Sequence, residues 1–219
     1  MVTYKMIKNN QDVREYIRRA DESLISLGYT EHSFAHVERV ASTVEYILSN
    51  MGYSAHDIEL GKIAAYLHDI GNLINRVDHS QSGGVLAFRI LDRMGMDAAD
   101  IAVIVSAIGN HDEGTGVPVH PVAAALILSD KSDVRRSRVR NRDVSSFDIH
   151  DRVNFSVTES SLLISEDRSE ICLKLSIDTK YSAVMDYFEI FLNRMIMCRK
   201  AAECLGMRFS LQINQQILL

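Results

Sequence analysis

The segment Ala65-Tyr-Leu-His-Asp-Ile-Gly-Asn72 decides how the rest of this sequence is interpreted. Its first half continues an apolar helical pattern, and Gly71 stands where that pattern runs out. His68 and Asp69 are therefore expected at the end of a buried helix. A buried carboxylate is costly unless it is paired or bound to a metal, and imidazole with carboxylate is a ligand mix that Zn, Fe and Mn accept. Taken alone, the dipeptide is more typical of a solvent-facing helix end.

Around this segment, apolar residues recur at spacings of three and four, which predicts six consecutive helices. The predicted helices cover Asp12 to Leu27, Ser33 to Met51, Ala55 to Ile70, Ser80 to Met94, Ala98 to Asn110 and Pro121 to Asp130. Ser33, Ser54 and Asp97 are candidate amino-terminal caps. Glycines follow most of the predicted helices, as they commonly do at helix ends.

After about Asp143 the apolar residues alternate, which predicts two or three short strands. The alternating positions are Val153, Phe155 and Val157, then Leu162 and Ile164, then Ile171, Leu173, Leu175 and Ile177. A helix is expected from about Ser182 to Leu205, and Met207 to Ile213 alternates again. The sequence therefore predicts a mainly α fold, with a helical body over residues 1–143 and a small β-containing appendage over residues 144–219 that packs on it.

Composition limits the functional classes. The chain has 219 residues, 47% of them apolar, which favours one main domain with a proper core. The formal net charge of -5 argues against a general nucleic-acid binder, although residues 131–142 contain six basic residues and one acidic residue. No apolar run reaches the roughly 20 residues of a membrane-spanning helix, and the first residues lack a secretory signal, so a cytoplasmic protein without a membrane partner is expected. The three cysteines are interpreted as reduced structural thiols.

Four further polar residues lie at or near the ends of predicted helices: His36, His79, His111 and Asp130. His36 shares a helical stripe with Val40 and Val44, so it is expected to face the core. A lone histidine beside apolar residues is more often structural than functional. The order of the whole set, His, His-Asp, His, His and Asp, is the stronger signal.

In this order the chain resembles the HD-domain superfamily of metal-dependent phosphohydrolases, over roughly Ser33 to Arg142. The segment 65–72 is similar to the signature helix end of that family, and Leu128-Ser-Asp-Lys-Ser-Asp133 is similar to its closing aspartate element. The resemblance implies an HD-domain-like helical bundle, and His79 and His111 point to the branch with a binuclear metal centre.

The resemblance also implies roles for individual residues. One divalent ion would bind His36, His68, Asp69 and Asp130, and a second would bind His79, His111 and the other oxygen of a bridging Asp69. Fe or Mn is expected first, with Co, Zn, Mg or Ni as alternatives. The catalytic candidates are Asp69, Lys131 and Asp112, and the candidates for binding substrate phosphates are Lys131, Arg135, Arg136 and Arg138.

The expected function is hydrolysis of a phosphate ester or anhydride in a small, nucleotide-like substrate. The segment His111 to Pro118 is similar to a shortened cyclic-dinucleotide phosphodiesterase motif, but it has one histidine in place of two and valine in place of tyrosine. The spacing from His79 to Gly83 is closer to bacterial diadenosine tetraphosphate hydrolases, and neither substrate is assigned. The alternatives are a di-iron oxygenase on the same scaffold and a non-enzymatic nucleotide sensor. The tail could cover the active site, form a homodimer contact or complete the core.

Overall fold

The helices of the body begin and end on signals that are visible in the sequence. Ser33, Ser54 and Asp97 each accept a hydrogen bond from a backbone N–H in the first turn of the helix that follows. These bonds satisfy donors that would otherwise lack a partner at the start of a helix. Two later turns pass through Gly52 and Gly95, whose φ angles are +77° and +74°. The three predicted caps are confirmed.

The computed structural model describes residues 2–218, so Met1 and Leu219, the outermost residues of the two predicted units, lie outside the described part. The body contains α1 (Tyr4–Asn9), α2 (Gln11–Ser26), α3 (Phe34–Asn50), α4 (Ala55–Leu67), α5 (His79–Arg93), α6 (Ala98–Gly109) and α7 (Pro121–Lys131). The tail contains α8 (Ile149–Ser156), β1 (Val157–Ile164), β2 (Glu170–Ile177), α9 (Val184–Cys204), β3 (Arg208–Ile213) and β4 (Gln216–Ile217). The predicted fold class, mainly α with a small β-containing appendage, is confirmed.

One helix was not predicted, and one prediction of local structure was wrong. The six residues of α1 were not predicted as a helix, because so short a segment shows no apolar period and buries only Ile7. Val153 and Phe155 were expected in a strand, but they lie in α8, and β1 begins only at Val157. Asp148 caps α8 by accepting a hydrogen bond from a backbone N–H. Alternation over five residues does not by itself distinguish a strand from a short helix, and the cap favours the helix.

The tail forms one four-stranded sheet with the order β1-β2-β3-β4. The strands β1 and β2 form an antiparallel hairpin, joined by a turn at residues 166–169. The strands β2 and β3 are parallel, and α9 makes the crossover between them, as parallel neighbours require. Because of this crossover, α9 contacts both the sheet and the body.

The helix α7 lies at the centre of the molecule. Every residue from Val122 to Ser129 is buried, which is typical of a helix enclosed on all sides. It packs against α3, α4 and α6 of the body and against α9 of the tail. Its carboxyl end, with Asp130 and Lys131, is thereby held in the interior. The division of the chain at residue 143 stays a prediction.

Within residues 2–218, no helix combines the length and the apolar content that crossing a membrane requires.

Gly71 is required because of a close contact. It lies in the 3-10 turn Ile70–Leu73, just after α4. A Cβ atom at Gly71 would lie 1.9 Å from the carbonyl oxygen of His79 and 2.5 Å from the backbone nitrogen of Gly83. The turn after α4 therefore packs directly on the first turns of α5, and this contact places Asp69 beside His79.

Gly71→Ala is expected to lower the free energy of unfolding by about 1–3 kcal/mol, the usual cost of overpacking. The backbone of α5 would have to move away from the turn, because both clashing atoms belong to it. Urea denaturation followed by circular dichroism measures the change.

The matched control is Gly109→Ala, where the new methyl group meets nothing closer than 3.9 Å. The control is expected to stay within about 0.5 kcal/mol of the parent protein. Equal stability of the two variants would contradict the close packing of the turn on α5.

Candidate metal centre

Two of the histidines follow the ends of buried helices. His68 comes directly after α4, and its Nδ1–H donates to the carbonyl oxygen of Ala65 at 2.8 Å. His111 comes shortly after α6, and its Nδ1–H donates to the carbonyl oxygen of Ile108 at 2.6 Å. The last carbonyl groups of a helix have no partner within the helix, so they are available as acceptors. In both residues the opposite nitrogen, Nε2, is left free to bind a ligand.

The other two histidines lie at helix starts and are oriented in the same way. His36 is in the first turn of α3, and its Nδ1–H donates to the Asp133 carboxylate at 2.7 Å. His79 begins α5, and its Nδ1–H donates to the carbonyl oxygen of Arg76 at 3.1 Å. Arg76 Nη1 in turn lies 3.3 Å from His79 Nε2, as expected if that nitrogen carries a lone pair. All four imidazoles therefore present Nε2.

The four Nε2 atoms form two pairs in the interior. His36 and His68 have Nε2 atoms 3.3 Å apart, and those of His79 and His111 are 3.2 Å apart. All four residues are at most 3% exposed, so water does not separate the pairs. With both Nδ1 atoms of a pair acting as donors, two lone pairs face each other unless a proton or a metal cation lies between them. The orientation therefore favours a cation at each pair.

Asp69 lies between the two pairs, with one carboxylate oxygen toward each. Its Oδ2 is 3.2 Å from His68 Nε2 and 3.6 Å from His36 Nε2. Its Oδ1 is 3.5 Å from His79 Nε2 and 3.9 Å from His111 Nε2. A single carboxylate thus faces both sites at once.

Asp130 completes the first site. Its Oδ1 lies 3.3 Å from His36 Nε2 and 3.6 Å from His68 Nε2. Ligands that bind one ion at about 2.0–2.2 Å lie roughly 3.0–3.6 Å from each other, close to these separations. The donors, imidazole nitrogens and carboxylate oxygens, suit divalent transition metals. The structure therefore brings together all six residues that the sequence pattern selects, in two groups that share Asp69.

The electrostatics of the cluster favour the metal-binding forms of Asp69, Asp130, His79 and His111, whereas His68 holds a proton. Burial would raise the pKa values of Asp69 and Asp130, but the cationic groups around them hold both well below their usual range. Burial lowers the pKa values of His79 and His111, which keeps these imidazoles neutral. Burial would also lower the pKa of His68, yet the two carboxylates outweigh it and raise that pKa to about 10. Metal must therefore displace a proton from His68.

The cluster opens onto a cavity of about 450 Å³. Asp69, His79, His111 and Asp130 line its floor, whereas His36 and His68 are not exposed to it. The remaining walls come from the loop after α2, which includes Tyr29 and His32, from α8 and from α9. Small-molecule sites commonly measure 300–1,000 Å³, so the cavity is large enough for a small substrate.

Of the four cations that the sequence predicts for phosphate binding, the structure places Lys131 in contact with a candidate ligand. Its Nζ lies 2.7 Å from Asp130 Oδ2 and 3.4 Å from Glu113 Oε1. Burial would lower its pKa, but these two carboxylates outweigh that effect and raise it. Lys131 therefore stays charged beside a candidate metal ligand.

The predicted arginines contact the protein itself. Arg135 binds the carboxylates of Glu31 and Asp133 at 2.8 and 2.9 Å and does not line the cavity. Arg138 lines the cavity, but it donates to the backbone carbonyl groups of these same two residues. These contacts fix the segment after α7.

Two further predicted residues lie away from the cavity walls. Arg136 donates to the carbonyl oxygen of Phe155 at 2.6 Å, and its guanidinium lies over the rings of Phe155 and Tyr181. Asp112 follows a candidate ligand, yet its carboxylate faces the backbone of its own loop at Gly114. A role in substrate binding or catalysis stays a prediction for both.

Several residues around the cluster were not selected from the sequence: His32, Arg76, Glu113, Asp133 and Arg194. His32 lies one helical turn before His36, and its ring packs edge-on against it at 5.5 Å, so the i, i+4 spacing is a usable signal. Asp133 belongs to the quoted closing element. The other three carry no local signal, because loops and a distant helix bring them to the cavity.

Comparison with known proteins identifies the family. Residues 33–152 match the HD domain, which is more than half of the chain. The chain belongs to the HD domain family. The match begins at Ser33, the cap of α3, and ends within α8. It therefore includes all six candidate ligands, from His36 on α3 to Asp130 on α7.

Solved structures include one that is similar to this HD domain protein. The crystal structure of a predicted HD superfamily hydrolase from an uncultured Thermotogales bacterium is 25% identical, with a TM-score of 0.44, over 62% of this chain and 75% of that chain. No curated protein matches the chain.

Asp133 orients the first histidine of the HD domain. It is 2% exposed, accepts the His36 Nδ1–H bond and lies 3.1 Å from Arg39 Nε. Burial would raise its pKa, but His36 and the surrounding arginines hold that pKa well below its usual range. A charged acceptor fixes the ring and makes Nε2 a better donor to metal.

Asp133→Ala is expected to lower metal affinity roughly 10–100-fold, the usual effect of removing such a partner. Competition with a chromophoric chelator measures the affinity. Asp133→Asn keeps the volume and one acceptor oxygen, so its loss is expected to be smaller.

Asp12→Ala, on the exposed side of α2, is the control for removing a carboxylate. Circular dichroism establishes that each variant is folded. Unchanged affinity in a folded Asp133→Ala protein would remove Asp133 from the metal centre.

Proposed function

We propose that this protein is a metal-dependent phosphohydrolase that cleaves a phosphate ester or anhydride in a nucleotide-like substrate. The observation that carries the proposal is the carboxylate of Asp69, whose two oxygens face two separate pairs of histidines at the floor of a cavity. Membership of the HD domain family supports the same reaction class. The cations beside the cluster, Lys131 and Arg76, suit a substrate with phosphate charge.

The residues of the cluster divide between two divalent ions. His36, His68, Asp69 and Asp130 would hold one ion, and His79, His111 and the other oxygen of Asp69 would hold the second. Two such ions supply a water of lowered pKa and neutralise charge on phosphate oxygens. Fe or Mn is the first expectation, with Co, Zn, Mg or Ni as alternatives.

The side chains around the ligands position the substrate. Lys131 remains charged and lies at the edge of the first group, where it can neutralise a phosphate oxygen as negative charge develops. Glu113 holds this ammonium from the opposite side, which limits its freedom. Asp69 and Lys131 are themselves buried, and the lower local dielectric strengthens these interactions.

Asp69→Ala is expected to abolish metal binding at both sites and phosphate release together, while the helical content survives. The parent protein is expected to bind close to two ions per chain by elemental analysis. Phosphate release is measured across nucleotides and dinucleotides with Mn, Fe, Co and Mg in parallel. Asp92→Ala, an exposed carboxylate on α5, is the control.

Three outcomes of these measurements would overturn the proposal. Full activity in Asp69→Ala would show that the site is misassigned. Oxygen consumption that requires Fe(II), without phosphate release from any compound, would identify a di-iron oxygenase. Nucleotide binding without either reaction would identify a sensor.

Lys131→Met is expected to reduce kcat/KM roughly 10–100-fold, somewhat below the effect of removing an oxyanion donor. Bound metal is expected to stay at the parent level, because Lys131 is not a ligand. Lys200→Met, on the exposed side of α9, is the matched control. Unchanged kinetics in Lys131→Met would exclude Lys131 from the mechanism.

A further inference from the structure

The tail helix α9 supplies one wall of the cavity above the candidate ligands. Ile190, Phe191 and Arg194 reach the cavity from successive turns of this helix. Arg194 is more than 60 residues from the nearest candidate ligand in the sequence and lies outside the matched HD domain. It brings a permanent positive charge to the same cavity as Asp69 and Asp130.

Arg194 is held in one orientation on two sides. Its Nε–H donates to Glu113 Oε1 at 2.8 Å, and its guanidinium lies over the Phe191 ring at 4.0 Å from the centroid. Its side chain is 20% exposed. Among residues 2–218, Nη1 and Nη2 have no hydrogen-bond acceptor, while the residue lines the cavity. Two of its three nitrogens are therefore available to a ligand.

Glu113 joins Arg194 to Lys131. The same oxygen, Oε1, lies 2.8 Å from Arg194 Nε and 3.4 Å from Lys131 Nζ. Lys131 also contacts Asp130, so its ammonium lies beside a candidate metal ligand. Arg194 lies on the other side of Glu113. Two cations, Lys131 and Arg194, therefore lie on either side of one carboxylate oxygen at the cavity.

We infer that Arg194 binds a second phosphate group of the substrate, next to the phosphoryl group at the metal ligands, so that the substrate class is a phosphoanhydride. This inference rests on the proposed phosphohydrolase function and narrows its substrate. The planar fork of an arginine suits two phosphate oxygens at once, which a single ammonium does not. Arg194 is thus a specificity residue supplied by the tail.

The inference is tested by binding of two anions to the metal-loaded full-length protein. Isothermal titration with inorganic phosphate and with methylenediphosphonate, a diphosphate mimic that is not hydrolysed, compares one phosphate with two. Arg194→Met keeps an unbranched stem against Phe191 but removes the charge. Metal content is measured before and after each titration, because the diphosphonate is a chelator.

Arg194→Met is expected to weaken the binding of methylenediphosphonate roughly tenfold or more, because charged hydrogen bonds are lost. The binding of inorganic phosphate is expected to weaken less than about threefold. Arg194→Lys keeps the charge without the fork and is expected to recover part of the loss. Arg199→Met removes an exposed arginine from the same helix and is expected to change neither affinity.

Two results would overturn the inference: equal weakening of both anions, which would indicate a general effect on the site, or unchanged binding of the diphosphonate. Failure of the proposed function gives a different result. If no compound releases phosphate but Arg194→Met still discriminates between the two anions, the binding role stands without hydrolysis. If phosphate release is found and Arg194→Met binds both anions normally, only the inference fails.

Discussion

The buried carboxylate of Asp69 is the group on which the rest of the structure depends. It lies between two pairs of imidazole nitrogens, and burial of an ionised carboxylate is unfavourable unless cations surround it. The end of α4, the start of α5 and the end of α6 therefore have to meet at one point. The close contact between Gly71 and α5 allows this arrangement, because it brings the end of α4 and the start of α5 together beside Asp69.

Each histidine is oriented by the nitrogen that does not face the cluster. Three of the four donate Nδ1–H to backbone carbonyl groups three residues earlier, and His36 donates to Asp133. Asp133, the acceptor of this last bond, belongs to the basic segment after α7. Arg135 and Arg138 hold Asp133 and Glu31, and so support the orientation of His36. Phosphate binding by these arginines stays a prediction, and the contacts that the structure shows for them are with the protein itself.

The tail and the HD domain contribute to the same cavity. The candidate ligands come from the body, whereas α8 and α9 supply other parts of the cavity wall. The buried helix α7 links the two parts, because it carries Asp130 and Lys131 at its end and packs against α9 along its length. In our proposal, the body carries the residues that bind metal and hydrolyse the substrate, and Arg194 of the tail selects substrates with a second phosphate group.

The sequence by itself determined the helical body, its caps and the six candidate ligands. Periodicity and capping are local, and the ligand order is a pattern along the chain. It did not distinguish the short helix α8 from a strand, since alternation over five residues fits both. Only the tertiary structure decided that Lys131 reaches the cluster while Arg135 and Arg136 do not. It also decided that Glu113 and Arg194, 81 positions apart, share a hydrogen bond at the cavity. Such contacts depend on how the helices pack. The distance between two residues along the sequence does not indicate whether packing brings them together.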